Sequence, residues 1–387
     1  MSGHRESVVL LTGATGAVGR ELLSRMARRP STRVICLVRA ASDAEADHRL
    51  LETMDAMTHQ PLSAEERSRV SALRGDITSD RLGLDAARWD AVAAQVTRIV
   101  HGAANVSWSL PIDEARRINV GGTSEMLRLA EAASRRGTLE AFDYLSTVMV
   151  AGKQQGLIGE ETLDDKGEFW STYEQSKNEA ERMVRSRKGS LPVSIFRLSM
   201  VVGDSRTGYT STFNVMYWPL KMLSRGMFRI APADPEGVVD IVPVDYVADA
   251  VEALSADPAQ RGRGFHIAAG PRNCCTVSEF LDLASEVMGI PRPVLVNPTV
   301  FMAFVKPMVL AVTWGKRRQA FHKARVYLPY LSYRARFDDS QARAALEPRG
   351  ITPPPVRTYF RTLVDYAIRA DWGKRGAHGS DGRDRAA

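Results

Sequence analysis

The sequence predicts an α/β protein, a doubly wound parallel sheet followed by a smaller C-terminal lobe. Three observations carry that prediction. A short apolar run at 7–12 enters a glycine-rich turn and then a segment with helical spacing. Short apolar runs and amphipathic segments then alternate to about residue 203, the pattern of a sheet covered by helices on both faces. Beyond that point strand-like pieces thin out and Pro and Gly punctuate more often.

Taken in order, 7–12 (SVVLLT) reads as a buried strand and 17–28 as the helix after the turn. A second buried strand is expected at 33–38 (RVICLV). Residues 43–69 are polar, with Pro61 and Ser63 ahead of a Glu pair, and read as a helical insertion. Strands follow at 70–73, closed by Gly75 and Asp76, and at 98–101. Residues 113–136 carry Ile118, Met126, Leu127 and Leu129 and predict one long helix. A strand at 141–145 ends in Ser146 and Thr147, 171–187 is helical, and 193–198 is again a strand. These pieces define a sheet domain over 1–203, to which 238–250 is expected to return. A lobe over 204–372 is expected to shape a substrate pocket. The Gly, Arg and Asp content of 373–387 predicts a disordered tail.

Bulk properties remove several function classes. With 44% hydrophobic and 25% charged residues in 387, the chain is not disordered as a whole. The net charge is +7, but only nine of 52 basic residues are Lys, which points to a compositional preference for Arg. The basic residues are scattered and no recognition motif appears, so no nucleic-acid partner is expected. Cys36, Cys274 and Cys275 make neither a disulfide framework nor a metal-ligand spacing, so no metal is expected and a reducing compartment is. No signal peptide is recognisable and no apolar run reaches the roughly 18 residues needed to span a bilayer. A cytoplasmic location is the resulting expectation.

The turn Gly13-Ala-Thr-Gly16-Ala-Val-Gly19 sits between a strand and a helix. Glycines there permit a tight turn and a close backbone approach, and the helix N-terminus offers free N–H groups and partial positive charge to a pyrophosphate. In that context the triplet predicts a Rossmann-type dinucleotide site. The end of the second strand selects the cofactor. It reads Val38-Arg39-Ala40 with no acid before Asp43, so Arg39 is available to a 2′-phosphate and NADPH is favoured over NADH. Asp76 either accepts from the adenine amino group or forms a turn.

Tyr173 and Lys177 stand four apart on one helical face. The ammonium is expected to lower the phenol pKa and to hold ribose hydroxyls, and the phenol to exchange a proton with a carbonyl oxygen. Ten tyrosines and nine lysines in 387 residues make about 0.2 such pairs by chance, so the pair needs its context. That context is the preceding strand, whose terminal hydroxyls can stabilise developing charge. Of the two, Ser146 is expected to cap the strand end and Thr147 to act.

These pieces together resemble the extended short-chain dehydrogenase/reductases, and within them the fatty acyl-CoA reductase and thioester-reductase branch. The matching blocks are TGATGAVG (12–19), LVRA (37–40), RGDIT (74–78), HGAANVSW (101–108), RINVGGT (117–123), YLSTVMVAG (144–152), YEQSKNEAE (173–181), FRLSMVVGDSRTG (196–208) and VDIVPVDYVADAV (239–251). The resemblance implies that Gly13, Thr15, Gly16, Ala17, Val18 and Gly19 bind the pyrophosphate and Arg39 the 2′-phosphate. It implies that Asp76 and Ile77 flank adenine, that Ala103 and Ala104 line the nicotinamide side, and that Lys177 also contacts the cofactor. Thr147, Tyr173 and Lys177 fall on the family's catalytic positions, whereas Asn119 falls on a helix-packing residue. The chain departs from many relatives at Ala17-Val18, where a bulky pair is common, and at Ser199, where Pro is.

Apolar residues at 300–305 and 308–314, a basic cluster (Lys316, Arg317, Arg318, Lys323, Arg325) and the tyrosines Tyr327, Tyr330 and Tyr333 follow in the lobe. They suit a greasy acyl chain on a phosphate-bearing arm, peripheral membrane contact through 298–325, or an ordinary core helix with a solvated basic turn. The leading expectation is an NADPH-dependent reductase of a hydrophobic acyl thioester, bound to CoA or to an acyl carrier protein, giving an aldehyde or alcohol. The alternative is a ketone or alcohol dehydrogenase acting on a bulky hydrophobic substrate such as a sterol, isoprenoid or polyketide-derived ring. An intact Thr147, Tyr173 and Lys177 set argues against a non-catalytic cofactor sensor. The sequence leaves the oligomeric state open.

Overall fold

Runs of Val, Ile and Leu with no polar alternation suit strands buried on both faces, and the computed structural model turns seven of them into one parallel sheet. The structure describes residues 6–57, 61–163, 167–213, 216–227, 229–301, 303 and 327–374. The strands are β1 (Ser7–Thr12), β2 (Thr32–Val38), β3 (Val70–Arg74), β4 (Arg98–His101), β5 (Ala141–Thr147), β6 (Val193–Leu198) and β7 (Gly264–Ile267). They lie in the order β3-β2-β1-β4-β5-β6-β7, every pair parallel. The chain builds outward from β1 to β3, then crosses back to β4. The strand order therefore reverses between β1 and β4, and a crevice opens there at the carboxyl ends.

The helices of this half are α1 (Ala17–Ala27), α2 (Asp43–Asp55), α3 (Ala64–Ser68), α4 (Ala86–Gln95), α5 (Ile112–Arg116), α6 (Gly122–Arg135) and α7 (Thr172–Arg185). Alternate strand residues separate two cores, as a period of two requires. Val9, Leu11, Val34 and Cys36 pack on one face with Leu22, Leu23 and Met26 of α1. Val8, Leu10, Ile35 and Leu37 pack on the other with Trp89, Met126, Leu129 and Ala180 of α4, α6 and α7.

The expected elements change in four places. The polar insertion splits into α2 and α3, the second opened by a capping box between Ser63 and Glu66. Helix α4, not anticipated, is capped by Asp85 and buries Trp89, Val92 and Ala93. The long helix expected at 113–136 is interrupted by a π-turn over Arg117–Gly121. The return of 238–250 to the main sheet does not occur. Val238–Val239 pairs antiparallel with Cys275–Thr276, and Ile241–Pro243 pairs parallel with Met200–Val202. The edge beside β6 is taken instead by β7. Ser199 separates β6 from Met200–Val202 by bonding the chain on either side: its N–H donates to Ile267 and its hydroxyl to the Asp240 carbonyl. Only that outlying continuation is left for 241–243 to pair with. Residues 244–250 belong to a helix, Val244–Ser255, whose Val247, Ala250 and Val251 share the core of α1.

The C-terminal part gathers Tyr217–Ser224, Val277–Met288 and Val356–Arg369 around Tyr217, Tyr359 and Phe360. Of the tail expected at 373–387, Gly373 closes a 3-10 turn that spans Asp371–Gly373, and 375–387 lies outside the described residues. Most of 298–325, with its basic cluster, lies outside them too; Pro298–Val300 is a short helical turn and Phe301 is buried. Among the described residues no helix is long and apolar enough to cross a membrane, and no group of three or more His, Cys, Asp or Glu is placed to hold a metal.

One buried ion pair joins α7 to three strands. Glu181 and Arg197 are 0% and 1% exposed and meet at 2.7 Å. Ser146 of β5 donates to Glu181 at 2.6 Å, Arg185 at 2.8 Å, and Arg197 reaches His266 of β7 at 3.2 Å. Every carboxylate and guanidinium contact here lacks water to replace it. Arg197→Met should therefore cost about 3–5 kcal/mol, because it strands the Glu181 charge, while the paired change Arg197→Met with Glu181→Leu should recover much of the loss. Urea unfolding followed by circular dichroism measures both.

Candidate active site

The glycine turn has the shape that an anion needs. Gly13 has φ of 79°, and a Cβ on it would lie 2.8 Å from the carbonyl carbon of Gly102. A Cβ on Gly19 would lie 2.0 Å from the Gly13 oxygen. Gly16 caps α1 without a side-chain bond, and the first turn holds no acid, so its N–H groups are left for a ligand. Thr15 and Gly16 are exposed, and Ala17 and Val18 half-buried, at the same edge. The residues present thus fit a dinucleotide pyrophosphate. Arg39 is exposed just past β2, and Ala103 and Ala104 follow β4. The Thr12 hydroxyl accepts from the N–H groups of Gly102 and Ala103 at 3.2 and 3.1 Å and pins that strand end to the turn. Asp76 uses one carboxylate oxygen for the Thr78 N–H and hydroxyl, at 2.8 and 2.9 Å, so it does form a turn. Ile77 packs over Gly122, where a Cβ would come within 2.7 Å of its side chain.

Tyr173 and Lys177 lie one turn apart on α7, which Ser171 caps by accepting from the Glu174 N–H. Thr147 ends β5 with its hydroxyl beside the Tyr173 phenol. Burial pushes that phenol up to about 12, the Glu174 carboxylate adds to the rise, and Thr147 opposes it. Tyr173 is therefore neutral at physiological pH. The expectation that Lys177 lowers the phenol pKa is not met. The ammonium turns toward β5 and donates to the Tyr144 hydroxyl at 2.8 Å and the Leu145 carbonyl at 2.9 Å. Burial pushes Lys177 down to about 7, against the pull of Glu181 one turn further on. Ser146 does not cap the strand either, since its hydroxyl is committed to Glu181. The local cap is Thr147, which accepts from the Met149 N–H at 3.2 Å.

Several residues meet at the site that spacing along the chain does not bring together. The π-turn places Asn119 where its amide accepts from the Asn105 N–H at 2.8 Å and donates to the Ser176 hydroxyl at 2.9 Å. The Gly121-Gly122 pair was the one trace of an irregular helix. Glu174 is buried beside Tyr173, accepts from the Trp170 N–H at 2.9 Å and from the Tyr330 hydroxyl. Tyr330 in turn lies 4.4 Å from Trp108 and 5.2 Å from Trp170, ring centre to centre. An aromatic wall assembled from three distant segments thus stands over Glu174, the neighbour of Tyr173 in the chain.

Known proteins share both sequence and shape with this chain. The profile of the male sterility protein family matches residues 11–251. The carboxylic acid reductase of Mycobacterium tuberculosis is 33% identical over 310 residues, 71% of this chain and 25% of that protein. The isonitrile lipopeptide synthase of the same organism is 35% identical over 277 residues, 64% of this chain and 11% of that protein. The chain thus spans a quarter or less of the length of these relatives. The crystal structure of the terminal R domain from the myxalamid PKS-NRPS biosynthetic pathway superposes with a TM-score of 0.82 and 26% identity, covering 97% of this chain and 93% of that one. With a glycine turn, a switch-point crevice and a profile match over more than half its length, the chain belongs to the male sterility protein family, an NAD(P)-binding branch of the extended short-chain dehydrogenase/reductases.

Proposed function

We propose that this protein is an NADPH-dependent reductase of a hydrophobic acyl thioester, carried on CoA or on an acyl carrier protein, and releases it as an aldehyde or alcohol. The observation that carries the proposal is the Tyr173 phenol standing beside the Thr147 hydroxyl at the carboxyl end of β5, one helical turn from Lys177. A phenol pushed up to about 12 is a hydrogen-bond donor at working pH. It can donate to a carbonyl oxygen that gains negative charge. The names of similar proteins, a carboxylic acid reductase and an R domain of a PKS-NRPS pathway, support the same direction.

In this reading residues 1–203 bind the dinucleotide and 204–372 shape the substrate side. Gly13, Gly16, Gly19 and the N-terminus of α1 hold the pyrophosphate, and Arg39 holds the 2′-phosphate. Asp76 and Ile77 bound the adenine, and Ala103 and Ala104 the nicotinamide. Reduced nicotinamide, when bound, supplies hydride to the thioester carbonyl. Thr147 and Tyr173 donate hydrogen bonds to the carbonyl oxygen and stabilise the tetrahedral oxyanion. Collapse of that oxyanion expels the thiolate of the carrier arm, which takes up a proton. Lys177 places its ammonium beside the ribose. The aromatic wall of Trp108, Trp170 and Tyr330 offers an apolar surface to the acyl chain.

Thiol release from an acyl-CoA or acyl-pantetheine thioester, coupled to NADPH oxidation, tests the reaction. Turnover of bulky ketones without any thiol release would replace it by the dehydrogenase alternative. Tyr173→Phe should retain NADPH binding and lower turnover by about 10²-fold or more; unchanged turnover would remove the phenol from the mechanism. Arg39→Ala should weaken NADPH about 10-fold while leaving NADH unaffected, as read by nucleotide fluorescence titration. Gly19→Ala should abolish binding of both nucleotides, since its Cβ has no space beside the Gly13 carbonyl.

A further inference from the structure

Buried polar groups from β1, β4, α6 and β5 gather behind Lys177 in two hydrogen-bonded sets. Thr12 meets His101 Nδ1 at 2.8 Å. His101 Nε2 meets the Thr123 hydroxyl at 3.2 Å. The Thr123 hydroxyl donates to the Asn119 carbonyl at 2.6 Å and lies beside the Tyr144 phenol. The Tyr144 oxygen accepts from Lys177 at 2.8 Å. Thr12, His101, Thr123, Tyr144 and Lys177 are all buried, none more than 3% exposed.

Counting donors leaves one arrangement of protons. The Thr123 proton is committed to the Asn119 carbonyl, so Thr123 accepts from His101 Nε2. His101 then carries its proton on Nε2, and Nδ1 accepts from Thr12. Burial and the Lys177 charge push His101 down to about 3, so the ring stays neutral and this tautomer persists. Thr12 is left to accept from the backbone of Gly102 and Ala103, as observed. An ammonium only donates, so the Tyr144 oxygen turns a lone pair to Lys177.

We propose that Tyr144 is a positioning residue for Lys177: it fixes two of the three ammonium donors, together with the Leu145 carbonyl, and leaves the third for the nicotinamide ribose. The titratable groups around Lys177 are Tyr173 and Glu181 on its own helix, Tyr144 on β5 and His101 on β4. Glu181 is committed to Arg197, Arg185 and Ser146. His101 is neutral and directed to Thr12 and Thr123. Tyr144 is therefore the side chain that accepts directly from the buried ammonium, while the Glu181 charge one turn on favours its protonated form. The part of this inference that concerns turnover rests on the reductase proposal; the part that concerns nucleotide binding does not.

NADPH affinity measured by fluorescence across roughly pH 5.5–9 reads Lys177 without any substrate. Wild-type affinity should begin to fall as pH rises through about 7, where the free ammonium loses its proton. In Tyr144→Phe the onset should move about one pH unit lower, the size expected for losing one hydrogen bond to a charged group. Thr123→Ser, which keeps the hydroxyl, should retain the wild-type onset. A folded Tyr144→Phe protein with the wild-type onset would overturn the proposal. If that variant does not fold, Tyr144→Met, which likewise lacks the phenol oxygen, takes its place, and the same shift or its absence decides. Where thioesters are reduced, Tyr144→Phe should lower kcat more than it raises KM. Failure to reduce any thioester, with the pH shift intact, would sink the substrate proposal and leave this one standing.

Discussion

The rest of the site depends on where α7 sits, and α7 is held by the buried pair of Glu181 and Arg197. Two charges removed from water are tolerable only if every lone pair and donor is met. Here Ser146, Arg185 and His266 complete the set, each from a different element. That demand permits one rotation and one height of the helix against β5, β6 and β7. Tyr173, Lys177 and Glu181 lie at successive turns of the same face. Anchoring the last of them therefore sets the other two against Thr147 and Tyr144.

Burial acts on the two catalytic candidates in opposite senses. It pushes the Tyr173 phenol up to about 12, and the Lys177 ammonium down to about 7. Both shifts favour the neutral form, as low dielectric requires. The sequence suggests a simpler electrostatic pairing, with Lys177 acting directly on Tyr173. In the folded protein the ammonium has nearer acceptors in Tyr144 and the Leu145 carbonyl, so the phenol keeps its proton. The proposed division of labour matches that placement: a phenol and a threonine hydroxyl toward the carbonyl, an ammonium toward the ribose.

Much of the architecture was legible because it rests on local rules. Unbroken Val, Ile and Leu runs, a glycine triplet at a strand end and helical spacing at 17–28 depend on near neighbours. They survive folding with shifts of a residue or two. The glycine turn was legible for the same reason, since a turn with φ of 79° at Gly13 and no room at Gly19 admits no other residue type. The misplaced segment at 238–250 shows the boundary of that logic. Val238–Pro243 has strand composition, but composition does not say which edge is vacant. Gly264–Ile267 occupies the place beside β6.

Residue type at fixed spacing along single chain segments was enough to specify the fold class, the cofactor turn, and Thr147, Tyr173 and Lys177 as the candidate trio. Folding in three dimensions settled which hydroxyl of the Ser146-Thr147 pair faces the phenol, since that depends on Glu181 claiming Ser146 from a helix 35 residues away. It also settled the partner of Lys177 and the π-turn that brings Asn119 to Asn105 and Ser176. The same packing brought Tyr330 to Glu174 across a separation of 156 residues. These contacts arise where donors and acceptors from distant segments must satisfy one another in the absence of water, a condition that spacing along the chain does not encode.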